Sequence, residues 1–235
     1  MVDPETTKDT LETVKSVSET TSKALDVTEK LGGFIAQYVG GSLEQAMGII
    51  EDKLKYLRWE RQLRLIVRVQ ELAKEHDVEV VTRPIPLKMA IPLFEAASLE
   101  EEDYLQDLWA KLLLNASNAE SKVNLHRSYI NILEQITYLE ARILKTIYDL
   151  EFSVSDGVDI ATSKLPDEAS IEVDFDSINP SPDSIIDPTD DVKAALANLA
   201  RLRCLALPTS FNGKEIFHHA NPTLLGRRFV DACSV

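Results

Sequence analysis

Cysteine is nearly absent from this chain. Cys204 and Cys233 are the two among 235 residues, too few and too far apart for a disulfide-dense secreted scaffold or a thiolate metal site. A reducing cytoplasm is the expected location, with peripheral attachment to the inner membrane as the alternative. Glycine is also scarce, with eight residues, and none falls in a phosphate-cradling pattern. HExxH is missing too, so nucleotide-dependent and zinc-peptidase chemistry have no motif to stand on. The four histidines are scattered except for His218-His219. As strand neighbours these two are expected to point to opposite faces, which prevents them from sharing an ion. VDFDSIN has alternate aspartates but lacks the glycine and terminal glutamate of a calcium loop.

Long apolar runs are missing as well. The first thirty residues intersperse acidic and basic side chains and contain no signal-peptide core. The most apolar window, Leu31 to Ile50, is broken by Gln37, Ser42, Glu44, Gln45 and two Gly-Gly pairs. An unpaired Glu near mid-bilayer is costly, so the window reads as a buried helical hairpin or hinge. Lying flat on a membrane surface, as a membrane-associated effector, is the competing reading.

What the chain has is apolar content, 44%, and acid: 39 Asp plus Glu against 25 Lys plus Arg, a formal charge of −14. That is enough to build a core in one large or two small domains. Val14, Val17, Thr21, Ala24, Thr28 and Leu31 fall on one helical stripe, making residues 1–30 an amphipathic helix or tail. From Leu43 to about His76 the apolar pattern is continuous and helical. Lys53, Arg61, Arg64 and Arg68 form a basic edge within about 80° on the wheel. That edge is either a face for an anionic partner or a solvated face paired with Glu60 and Glu71, and the second reading is favoured because such pairs are common.

Val78, Val80 and Val81 with Pro84 and Pro86 suggest an extended linker. A short helix is expected over Leu87 to Ala97, with Pro92 in its first turns. Ser98 with Glu101 has the spacing of a capping box, placing the next helix at Leu99 to about Asn115.

The stretch RPIPLKMAIPLFEAASLEEEDYLQDLWAKLLLNA resembles the signature of the Abi-alpha family of bacterial abortive-infection proteins. Arg83, Pro84, Pro86, Lys88, Pro92, Leu93, Glu95, Ala97, Ser98, Leu105, Gln106, Asp107, Trp109, Ala110, Asn115 and Ala116 carry the likeness. It extends back through Asp52 to Gln62 and forward through Tyr129 to Leu144. The resemblance implies a role in phage defence; it carries no catalytic residues to transfer.

Further along, VNLHRSYINILEQI reads as a helix, and Thr137 with Glu140 caps the next one, TYLEARILKTIYDL. Composition then shifts. Residues 151–191 contain twelve acidic residues against Lys164, a net of −11. Low hydrophobicity with like charge predicts a mobile insertion with at most a transient strand at IEVDF, serving as bait for a basic partner, as a shield, or as a tolerated loop. Thr189 is positioned to cap a helix beginning with Asp190 and Asp191. Asn212-Gly213 marks a hairpin, and a last helix follows Pro222.

The expected fold is therefore mainly α. A helical body (31–120) precedes a winged-helix-like α+β unit with a β-hairpin wing (121–235), split by the acidic insertion. If the helix after Thr189 reads DNA, Lys193, Asn198 and Arg201 face outward, Lys214 sits in the wing, and Arg227 and Arg228 lie in the final helix. From Val192 onward the charge is +4, mild for a DNA reader beside an anionic loop. Nuclease motifs fare worse. No histidine has an arginine five to seven residues before it, and the Pro182-Asp183 and Asp191-Val192-Lys193 set lacks a rigid sheet to hold magnesium.

The functional expectation is a non-enzymatic interaction component of phage defence with a protein partner or a second copy of itself, and with no cofactor, metal or small-molecule substrate. A DNA-binding regulator of a defence or prophage locus is the alternative in a different class.

Overall fold

A computed structural model describes residues 32–40, 59–79, 82–154, 157–172 and 186–235. Residues 1–31, Lys53 and most of the expected helix between Leu43 and Trp59 lie outside these, as do Val80, Val81 and the middle of the acidic segment. The described residues form eight helices and four short strands: α1 (32–39), α2 (Trp59–Glu75), α3 (Leu87–Leu99), α4 (Asp103–Ser117), α5 (Arg127–Leu133), α6 (Tyr138–Tyr148), β1 (Asp159–Ala161), β2 (Ser170–Glu172), α7 (Asp190–Arg201), β3 (Leu205–Ala206), β4 (His219–Pro222) and α8 (Leu224–Ala232). The protein is mainly α with a small α+β part towards its C-terminal end.

α1 carries the first half of the apolar Leu31 to Ile50 window and buries it. Phe34, Ile35 and Tyr38 are enclosed, and the rings of Phe34 and Tyr38 pack edgewise on Phe94 of α3 at 6.0 and 6.3 Å between centroids. The Tyr38 hydroxyl approaches Ser117 without completing a hydrogen bond, while Ser117 donates to Leu114 O. Burial raises the Tyr38 phenol well above its ordinary pKa. Among the described residues no helix is long and apolar enough to cross a membrane.

α2 lays Leu65, Ile66, Val69, Leu72 and Ala73 against Leu105, Trp109, Leu112 and Leu113 of α4 in one continuous core. Burying each large aliphatic side chain contributes roughly 1.5–3 kcal/mol. The break between α3 and α4 corrects the expected Ser98–Glu101 cap. Ser98 belongs to the last turn of α3, buried, with its hydroxyl donating to Glu95 O at 2.8 Å. The Glu100 carboxylate accepts from the amides of Glu101 and Glu102 at 2.9 and 3.0 Å, holding the chain extended there. α4 therefore starts at Asp103, behind Glu102. α3 starts at Leu87 as expected, with Pro92 at its sixth position, in the second turn.

Two polar side chains stop helices by serving their last carbonyls. Arg83 donates to Asn115 O and Ala116 O at the end of α4 and to Val123 O beyond it. Asn115 in turn donates to Ala232 O and Ser234 O, closing α8. Both residues belong to the stretch that carries the family resemblance, and both are structural.

At the C-terminal end, Thr137 and Glu140 form the expected capping box, the Thr137 amide donating to Glu140 at 2.6 Å. Thr189 caps α7 as expected, accepting from the Val192 amide. The hairpin forms as well. β3 pairs with β4 in the register Leu205↔Pro222, and Gly213 takes the positive φ of 78° that its turn requires.

The acidic segment departs from expectation. Residues 157–172 are folded: β1 and β2 form a second hairpin, and β1 pairs with β4, giving an antiparallel sheet ordered β2-β1-β4-β3. Ile160, Thr162 and Leu165 are buried. The Thr162 hydroxyl is donated to Phe217 O, Thr146 donates to Pro166 O, and Arg142 pairs with Asp167. Three inward side chains and a partner strand sixty residues further on order a stretch whose average composition reads as loop.

Candidate interaction surfaces

The basic residues singled out in the sequence, Lys53 apart, lie among the described residues. On α2, Arg61, Arg64 and Arg68 lie on one stripe and meet carboxylates 39 or 40 residues away: Glu101 at 2.6 Å, Asp103 at 2.7 Å, and Asp107 through the Arg68 Nε. The offset stays at 39 or 40 while both positions advance, so α2 and α4 run parallel and their charges pair in register. Of the expected local partners, Glu71 also reaches Arg68, at 3.3 Å, and the side chain of Glu60 lies outside the described residues. Partial burial pulls the Asp107 carboxyl upward, but its bonds to Arg68 and Lys111 prevail and hold it below the ordinary carboxylate value. Arg61, Arg64 and Arg68 are thus engaged with carboxylates of α4 and of the turn before it.

The outward face of α7 is similarly engaged. Asn198 donates to Gln135 O and to the buried Glu140. Arg201 bonds Asn198 and the Gln135 side chain, and Lys193 pairs with Asp187 at 3.0 Å. Asn198 was expected outward; instead it is half-buried against the turn before α6, because Glu140 needs a second donor once the Thr137 amide is satisfied. Reading a base edge would require Asn198 and Arg201 to leave these bonds.

The final helix holds a tight junction that sequence reasoning did not find. The Tyr148 hydroxyl donates to Cys204 O at 2.7 Å and accepts from the Thr223 amide at 2.9 Å. The Thr223 hydroxyl accepts from Gly226 N, capping α8. Gly226 passes so close that a Cβ there would lie 2.1 Å from Cys204 O and 2.2 Å from the Tyr148 hydroxyl oxygen. Arg227, expected as a contact residue, donates to Tyr148 O and stacks on Tyr148 and Phe152 with its guanidinium carbon 4.9 and 4.7 Å from the ring centroids. Arg228 is exposed. Burial raises the Cys204 thiol to about 12 and lifts Cys233 further, so neither is a thiolate nucleophile at neutral pH.

His218 and His219 also depart from expectation. Their rings meet edgewise at 4.6 Å, because β4 begins only at His219 and His218 sits in the bend before it. Among the described residues no three His, Cys, Asp or Glu side chains are grouped to hold a metal ion.

One feature of the hairpin is not absorbed by packing. At its tip Phe211 is fully exposed, beside Lys214. The turn beneath it is braced: the Ser210 amide donates to Lys214 O, the Gly213 amide to Ser210 O, and the Lys214 amide to the Ser210 hydroxyl, all at 2.8–3.1 Å. A bulky aromatic side chain is therefore held in solvent on a rigid mount. The local signal was in the sequence, since a Phe next to Asn-Gly falls at the apex rather than in the paired arms.

These features define a mainly helical protein whose prominent charges are internal ties and whose hairpin carries an unpacked aromatic tip. The chain belongs to the Abortive infection alpha family, whose sequence model matches residues 60–233. Membership implies a role in abortive infection, the defence against phage, as the resemblance over the middle of the chain indicated. No match was found among curated proteins or among solved structures.

Proposed function

We propose that this protein serves abortive infection as a non-enzymatic interaction component, engaging a protein partner, or a second copy of itself, through the tip of its hairpin. The observation that carries the reading is Phe211, fully exposed on a braced turn with Lys214 beside it. Aromatic anchors on rigid mounts supply contact area at low entropic cost, which is how they come to dominate protein interfaces. The non-enzymatic part is supported by the engagement of the candidate polar groups: Arg61, Arg64, Arg68, Lys193, Asn198 and Arg201 are held in bonds that maintain the fold. The same engagement favours protein contact over base reading by α7.

A photoreactive phenylalanine analogue at position 211 of the full chain tests this in infected cells. The expected result is a discrete crosslinked protein product, absent when the analogue replaces the exposed Glu134 instead. Equal labelling from both positions, or none from 211, contradicts the reading.

A further inference from the structure

α4, α6 and α8 border a partly open pocket of about 340 Å³. Its size lies in the range of small-molecule sites. Leu108, Leu144 and Phe229 supply apolar wall, and Tyr104 brings a phenol. Two lysines from different helices, Lys111 of α4 and Lys145 of α6, line it as well. Each lysine is steadied by a carboxylate one turn away on its own helix or at its end: Lys111 by Asp107 at 2.9 Å and Lys145 by Asp149. An ammonium group has three donors, and one such pairing leaves donors over. Both lysines therefore line a pocket of mixed polar and apolar walls with hydrogen-bonding capacity unspent, and Asp149 lines it as well.

From this arrangement we infer that the cavity binds a small organic anion: an acidic head held between Lys111 and Lys145, and a short apolar body lying on Leu108, Leu144 and Phe229. Each lysine charge is already balanced by a carboxylate, so selection rests on the spare donors: a cation offers them no acceptor, and a neutral alkane leaves them unused. An occupant touching α4, α6 and α8 would couple the helical body to the end that carries the hairpin. It would be bound and released unchanged, as an effector rather than a substrate. The inference is independent of the hairpin reading.

Isothermal titration of the full chain with decanoate, below its micelle concentration, tests it. Saturable one-to-one binding is expected, with decyltrimethylammonium giving none. The double variant Lys111→Met/Lys145→Met should bind roughly tenfold more weakly, the size of two partly exposed ion contacts. Leu108→Trp, which fills the chamber from a half-exposed position, should abolish binding, and a thermal melt identifies any variant that fails to fold. Absence of saturable heat with the folded wild-type chain overturns the inference. So does equal binding of the cationic amphiphile, or unchanged affinity in a folded double-lysine variant.

Discussion

The α2–α4 pair and the α6–α8 junction perform the same task, holding two helices together, by opposite means. α2 and α4 are joined over an apolar seam and flanked by ion pairs that stand largely in water, such as Arg64–Asp103 with side chains 57% and 84% exposed. α6 and α8 are joined through a buried hydroxyl with three backbone partners and a glycine that leaves no room for a methyl group. Exposed pairs contribute little individually and tolerate loss. A buried polar latch is unforgiving, because each group removed leaves another unsatisfied or in collision. Two parts of one core thus differ sharply in how much a single atom matters.

The largest effect that would test this contrast is Gly226→Ala. The new methyl meets a backbone carbonyl and a buried hydroxyl, neither able to retreat, so a loss of about 3 kcal/mol or more is expected in chemical unfolding. A near-neutral result would mean the junction is loose. Next comes Tyr148→Phe, which keeps the ring under Arg227 but strips the Thr223 amide of its partner. About 2 kcal/mol should be lost, read in the same way.

Smallest is Arg68→Ala on the α2–α4 side, at about 1 kcal/mol or less, fading near 1 M salt where the screening length is about 3 Å. Tyr148→Phe should keep its full effect in that salt. Acid provides a second check. Pairing places the folded Asp107 pKa below its ordinary 3.8, so its contribution is complete above that value and is lost as pH falls through the lowered one. Asp107→Asn should therefore be less stable than wild type at neutral pH and converge with it in strong acid. A constant gap down to the acid limit would deny Asp107 its role.

The same contrast explains what was legible in the sequence. Thr137 with Glu140, Thr189 before Asp190, and Asn212-Gly213 could be read because each signal and its structural result lie within four residues. The arginine stripe was visible, and so was Glu71 as a partner of Arg68, but Glu101, Asp103 and Asp107 were not, because they come from α4 and the turn before it, about forty residues away. The β1–β2 hairpin was hidden by strands three residues long in an acidic stretch, ordered through pairing with β4. The latch was invisible for the same reason, since Tyr148, Cys204 and Thr223 meet only once the sheet is built. Of the surface features, Lys214 and the hairpin apex were found in the sequence. Phe211 was not singled out, because its meaning depends on nothing packing over it.

The hairpin tip carries the functional account, so the most direct measurement is phage survival on cells expressing the wild-type chain or its Phe211→Ser variant, with the unfolding midpoint of both proteins recorded. The account predicts that the variant folds as stably as wild type and loses protection. Full protection by a stable Phe211→Ser protein would contradict it.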